Sequence, residues 1–83
     1  MTTIPTIDLA ATGRNLNALL LRAGVPVRTL QAALGFNNPT AIYKWLTGAC
    51  LPTLDNLVIV AAVLGVRIDD ILILNDQQGR RSA

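Results

Sequence analysis

The chain has 83 residues, of which 52% are hydrophobic and 14% charged, with a net charge of +2. That is enough for one small domain with a buried core, and it leaves apolar surface over for a partner subunit. The absence of His and Glu, a single Cys at position 50 and the lack of a glycine-rich phosphate loop exclude a metal-ligand cluster, a Cys–His pair and a disulfide, so no enzyme and no cofactor is expected.

Residues 1–7 hold Pro5 and no helical pattern, so a loose arm is expected there. They also lack the basic start and apolar run of a secretory signal. A first helix is expected from about Asp8 to Ala23, with Asp8 or Thr12 as its cap and Gly24 as its stop. Leu9, Leu16, Leu20 and Ala23 give its apolar stripe and Leu19 widens it, while Gly13 weakens the first turn.

A second, short helix runs from Pro26 or Val27 to Leu34, with Val27, Leu30 and Leu34 on the buried side and Gly35 after it. A third is expected over 39–46. Asn38 can cap it, Pro39 suits the first helical position and Gly48 ends it. Ile42, Trp45 and Leu46 fall three and four residues apart and should face a core, leaving Thr40, Ala41, Tyr43 and Lys44 towards the other face. Two short helices joined by G-F-N-N have the spacing of a helix-turn-helix.

Thr53 caps a fourth helix, Leu54–Leu64, whose tail is apolar nearly all round, as in the central helix of a bundle. Residues 66–74 read either as a short helix or as a helix that finishes extended, with Ile68, Ile71 and Leu72 buried. Residues 75–83 are polar and are expected to be a disordered tail, leaving 8–74 as the domain. Cys50 is expected to be a small buried or half-buried residue. The longest apolar run is far too short for a bilayer, so a cytoplasmic protein is expected.

Charge is unevenly placed. Residues 1–45 carry Arg14, Arg22, Arg28 and Lys44 against Asp8, whereas residues 46–83 carry Arg67, Arg80 and Arg81 against Asp55, Asp69, Asp70 and Asp76. A surface for a polyanion therefore belongs in the first half.

The segments G-R-N-L (13–16), L-x-x-x-L-G (30–35), A-I-Y-K-W-L-T-G (41–48), L-P-T-L-D-N-L (51–57) and L-G-V-R-I-D-D-I-L (64–72) resemble the Cro and lambda-repressor-type helix-turn-helix family, also called the xenobiotic-response-element family. The resemblance implies an all-α fold, a compact five-helix lambda-repressor-like bundle. It implies a sequence-specific regulator of bacterial or phage type that binds double-stranded DNA. Helix three would enter the major groove, with Thr40, Ala41 and Tyr43 near base edges and Lys44 near a phosphate or base. Asn37 and Asn38 can donate to phosphates, although turn and cap chemistry explains them equally well. The likeness departs from the common pattern at helix two. Pro26 and Val27 stand where the family has Ser or Thr followed by Gln, so Arg28 is the available backbone contact. Gln31 replaces a small Ala, and a turn one residue longer would make room for it. The expected partner besides DNA is a second copy, joined through helix four or residues 66–74. No small-molecule ligand is indicated. The alternative is a protein-interaction module, antitoxin-like or accessory, on the same fold with DNA binding reduced or lost.

Overall fold

The computed structural model describes residues 6–75, and the described residues fold into five helices: α1 (Leu9–Ala23), α2 (Val27–Leu34), α3 (Thr40–Thr47), α4 (Leu54–Leu64) and α5 (Ile68–Ile71). Local chemistry sets most of the boundaries. Asp8 accepts from the Ala11 N–H at 2.9 Å and so caps α1. Thr53 accepts from the Asn56 N–H at 3.3 Å and caps α4, with Asp55 in its first turn where the helix dipole favours a negative charge. Arg67 donates its backbone N–H to the Asp70 carboxylate at 2.9 Å, which closes the single turn of α5.

The core is one cluster drawn from all five helices. It contains Leu16, Leu19 and Leu20 of α1, Leu30 of α2, Ile42 and Trp45 of α3, Leu57, Val60, Ala61 and Leu64 of α4, and Ile71 of α5. Helix α1 lies chiefly against α3, and α2 against α4. The stripe on α1 is shifted from its expected place. Leu9 and Ala23 are exposed, while Thr12 and Gly13 are buried. The cause is backbone packing. A Cβ on Gly13 would lie 2.5 Å from both the Trp45 and the Leu46 carbonyl oxygens. Gly13 therefore does not loosen the first turn of α1, as its helix propensity predicts. It lets the C-terminal end of α3 press directly on α1. Gly48, at φ +84°, makes the reciprocal approach, where a Cβ would stand 2.8 Å from the Ala10 Cα. Two glycines thus fix the placement of α3 against α1.

The end of the domain is tied to α1. The buried Thr12 hydroxyl accepts from the Ile73 N–H at 2.9 Å. Asn15 donates to the Asp70 and Ile71 carbonyls at 2.7 and 3.0 Å, satisfying the end of α5. Beyond Ile71 the chain is extended, and Leu74 forms an antiparallel bridge with Ile7. Of the two readings of residues 66–74, the structure takes the second, helix first and extended segment after it. Thr6 and Ile7 do not belong to a loose arm, because Asp8 donates to the Ile73 carbonyl at 2.8 Å and Asn75 to the Thr6 carbonyl at 2.7 Å. The rest of the expected arm, 1–5, and of the expected tail, 76–83, lies outside the described residues. No helix among the described residues is long and apolar enough to cross a membrane.

Cys50 is exposed, against expectation. It lies in the connection between α3 and α4, where Pro52 and not Cys50 is the buried anchor.

Candidate nucleic-acid interface

Helix α3 divides as its spacing predicts. Ile42 is fully buried and Trp45 nearly so, which turns Thr40, Tyr43 and Lys44 outward. Leu46 is half-buried against the core, and so is Ala41. Ala41 therefore offers part of a surface and not a projecting side chain. Tyr43 leaves about half its area, 52%, open to solvent, too much for a core tyrosine and enough for its ring face to meet a ligand.

The start of α3 is set by the residues before it. The Asn38 carboxamide oxygen accepts from the Thr40 N–H at 3.0 Å, a turn bond that leads into the helix, but Asn38 is not its cap: that position falls to Pro39, which makes no side-chain cap bond. The helix begins one residue later than expected, at Thr40, because Pro39 sits at the cap with φ −89° and ψ 10°. Asn37 and Asn38 are both exposed, and the Asn38 oxygen is occupied while its amide is free to donate.

Gln31, the unusual residue of α2, is half-buried and donates to the Phe36 carbonyl at 3.2 Å. Phe36 in turn packs edge-on against Trp45, with ring centroids 5.9 Å apart and planes at 63°. The Gln31 side chain therefore grips the turn between α2 and α3, and the turn grips the buried face of α3. Spacing along the chain makes Gln31 only a volume to accommodate. The structure gives it a bond across the helix-turn-helix.

Two hollows flank α3. One, at the junction of α2 and α3, is lined by Pro26, Val27, Arg28, Thr29, Gln31, Pro39 and Tyr43. It brings the expected Arg28 and Tyr43 together. The other is lined by Gly35, Phe36, Asn37, Asn38 and Ala41. Thr40 and Lys44 line neither hollow. Val27, Thr29 and Pro39 do not stand out as surface residues in the sequence. The signal for them is the Pro26–Val27 pair, which reads as a missing polar group and proves to be a patch of surface.

The stretch of sequence that carries these residues is one-sided in charge. Between Asp8 and Asp55 the sequence contains no Asp or Glu, while it contains Arg14, Arg22, Arg28 and Lys44. All four cations are exposed. The ion pair among the described residues is Arg67 with Asp69, 3.4 Å apart and on the other half of the chain. Among the described residues, Arg28 and Lys44 are thus in no ion pair with a carboxylate. Pro26 supplies no side-chain acceptor to α2, so the first-turn N–H groups of that helix have no side-chain cap.

Comparison with solved structures gives the same architecture three times. The restriction-modification controller protein C.AhdI from Aeromonas hydrophila superposes with a TM-score of 0.69 at 22% identity, over 77% of this chain and 96% of that one. The clp gene regulator ClgR from C. glutamicum gives 0.67 at 23% identity, over 80% and 84%. This chain has the Cro/lambda-repressor-like helix-turn-helix fold. The DNA-binding domain of BldD gives 0.65 at 16% identity, over 80% of this chain and 94% of that domain. No family model matches the sequence. No curated protein matches it either. In this helix-turn-helix fold α2 and α3 are the consecutive short helices; Arg28 and Tyr43 line one hollow between them, and Lys44 is exposed on α3.

Proposed function

We propose that the chain is a sequence-specific, double-stranded DNA-binding transcriptional regulator, with α3 as its recognition helix in the major groove. The observation that carries this reading is the outer face of α2 and α3. It exposes Arg28, Asn37, Asn38, Thr40, Tyr43 and Lys44, and it belongs to a stretch of chain without a single carboxylate. Lys44 and Arg28 supply phosphate contacts, as do the uncapped N–H groups of α2. Thr40, Tyr43 and the exposed part of Ala41 lie nearest base edges. The similar structures include a controller protein, a gene regulator and a DNA-binding domain, which supports the same assignment.

Few cations serve each protomer, so tight binding needs two of them on one site. We propose a homodimer on a near-palindromic operator, with half-sites about one helical turn apart. Apolar surface is available for it. Leu54 and Val58 of α4 are 70% and 54% exposed, and Ile73 and Leu74 are also open. A cytoplasmic protein without a bound cofactor fits this role.

A second reading has its own support. The exposed Leu54 and Val58 and the non-polar Val27 at the start of α2 suit a protein-interaction module in which DNA binding has been reduced. Electrophoretic mobility shifts over a salt series separate the two. The DNA reading expects affinity that falls steeply with salt, and that falls again in Tyr43→Ala/Lys44→Ala. The interaction reading expects no shift with any duplex.

A further inference from the structure

Asn38 stands where the chain enters α3, and with Phe36, Asn37 and Ala41 it lines the second hollow. That hollow opens beside the first turn of α3, the part of a recognition helix that comes nearest to base edges. Three carboxamides belong to α2, the turn and α3, and the structure commits them differently. Gln31 gives its amide to the Phe36 carbonyl. Asn37 is exposed, and among the described residues no side-chain bond fixes its orientation. Asn38 turns its oxygen to the Thr40 N–H at 3.0 Å. Only the oxygen can meet an N–H, so this bond settles which end of the carboxamide is which. The exposed Asn38 is left with an NH2 group that can only donate.

That polarity selects among base edges. A carboxamide contacts adenine by turning its oxygen and its NH2 group together towards one edge, and the Asn38 oxygen is turned to the backbone instead. In the major groove guanine alone offers two acceptors side by side, N7 and O6, with no donor between them and the protein. Adenine sets its acceptor beside an amino group, thymine offers one acceptor beside a methyl group, and cytosine offers a donor. Two N–H groups on one nitrogen therefore match guanine best. Lys44 on the same helix also only donates, and no carboxylate between Asp8 and Asp55 is there to accept from cytosine. We infer that Asn38 reads guanine through its NH2 group, at one position of the site contacted by each protomer. The inference rests on the DNA-binding reading above and gives that reading a base. The turn bond holds the carboxamide in place before DNA arrives, so less side-chain freedom is lost on binding.

Asn38→Asp tests the polarity, because a carboxylate keeps an acceptor for the Thr40 N–H and replaces the donor by a second acceptor. Duplexes are enriched from a random pool with the full wild-type chain, and every position of the enriched site is then changed to each of the other bases. The wild type is expected to prefer guanine at one position per half-site by about five-fold. In Asn38→Asp the preference there passes to cytosine, whose amino group needs an acceptor, and the preferences elsewhere stand. The added negative charge weakens binding to every sequence alike, so the ratios between bases carry the result. Asn38→Ser serves should Asn38→Asp lose helical content. Its hydroxyl can take the Thr40 N–H, and without an NH2 group it should bind guanine and 7-deazaguanine at that position equally, where the wild type loses about five-fold. Variants that bind every sequence more weakly but keep all their preferences overturn the inference, since Asn38 then meets a phosphate, and they leave the DNA reading standing. A wild-type preference for adenine at the position that the variants alter also overturns it. Failure to enrich any duplex overturns the DNA reading and this inference together.

Discussion

Gly13 and Trp45 meet through their backbones: a Cβ on Gly13 would stand 2.5 Å from the Trp45 carbonyl oxygen. The position of α3 therefore depends on a residue in a different helix with no side chain at all. Gly13→Ala improves intrinsic helix propensity by about 1 kcal/mol. It also forces a methyl group into backbone atoms that are not the flexible end of a side chain, and overpacking of that kind costs about 1–3 kcal/mol. The clash outweighs the gain in propensity. Gly13→Ala is expected to lower the urea midpoint and the melting temperature, and a stabilised variant would show that α1 and α3 separate cheaply.

The clasp between α1 and the end of the domain is polar and partly buried. Thr12→Val keeps the shape and removes the hydroxyl, leaving the Ile73 N–H without its 2.9 Å acceptor. The expected cost is about 1–3 kcal/mol of unfolding free energy. Amide hydrogen exchange at Ile73 should speed up more than exchange at Leu30 in the core. Equal acceleration at both sites would mean that the clasp opens only with the whole domain.

Gln31 is expected to matter more for placement than for stability. Gln31→Ala removes the bond to Phe36, and for a half-buried hydrogen bond the expected loss is about 1 kcal/mol. Its larger effect should fall on DNA affinity, because the turn then holds α3 less firmly through Trp45. Calorimetry and a binding titration on the same preparation check this. A drop in affinity no greater than the drop in stability would assign Gln31 to the fold alone.

The exposed face of α4 gives a separate prediction. Leu54→Lys and Val58→Lys change residues that touch solvent over most or half of their area, so the monomer fold should survive. Sedimentation equilibrium should show loss of the dimer with unchanged helical content. A double variant that remains a dimer would move the interface elsewhere, with the segment around Ile73 and Leu74 next in line.

The elements that follow from local rules are legible in the sequence. Asp8 and Thr53 cap the helices they are expected to cap, and Gly24, Gly35, Gly48 and Gly65 stand at the helix ends. The split of α3 between Ile42 and Trp45 on one side and Tyr43 and Lys44 on the other also follows from spacing alone. What escapes depends on residues distant in the chain. Gly13 reads as a weak helical residue until α3 is laid across it. Thr12 reads as a candidate cap, and its actual partner lies at Ile73. Thr6 and Ile7 read as a loose arm because Asn75 and Leu74, which hold them, are at the other end of the domain. Cys50 reads as buried or half-buried from its residue type, whereas it is exposed and its loop is anchored by Pro52. At the candidate site the exposed polar residues follow from the helix face. The hollow between Val27, Pro39 and Tyr43 does not, because it exists only once α2 and α3 are set at their angle.

The central claim is that the outer face of α2 and α3 meets the phosphates and base edges of DNA. A titration of the enriched duplex at several salt concentrations, with wild type and Lys44→Ala, tests it most directly. Log affinity is predicted to fall linearly with log salt for both proteins. The variant should bind more weakly, with a slope shallower by about one for the phosphate that Lys44 neutralises. Superimposable titrations for the two proteins would contradict the claim.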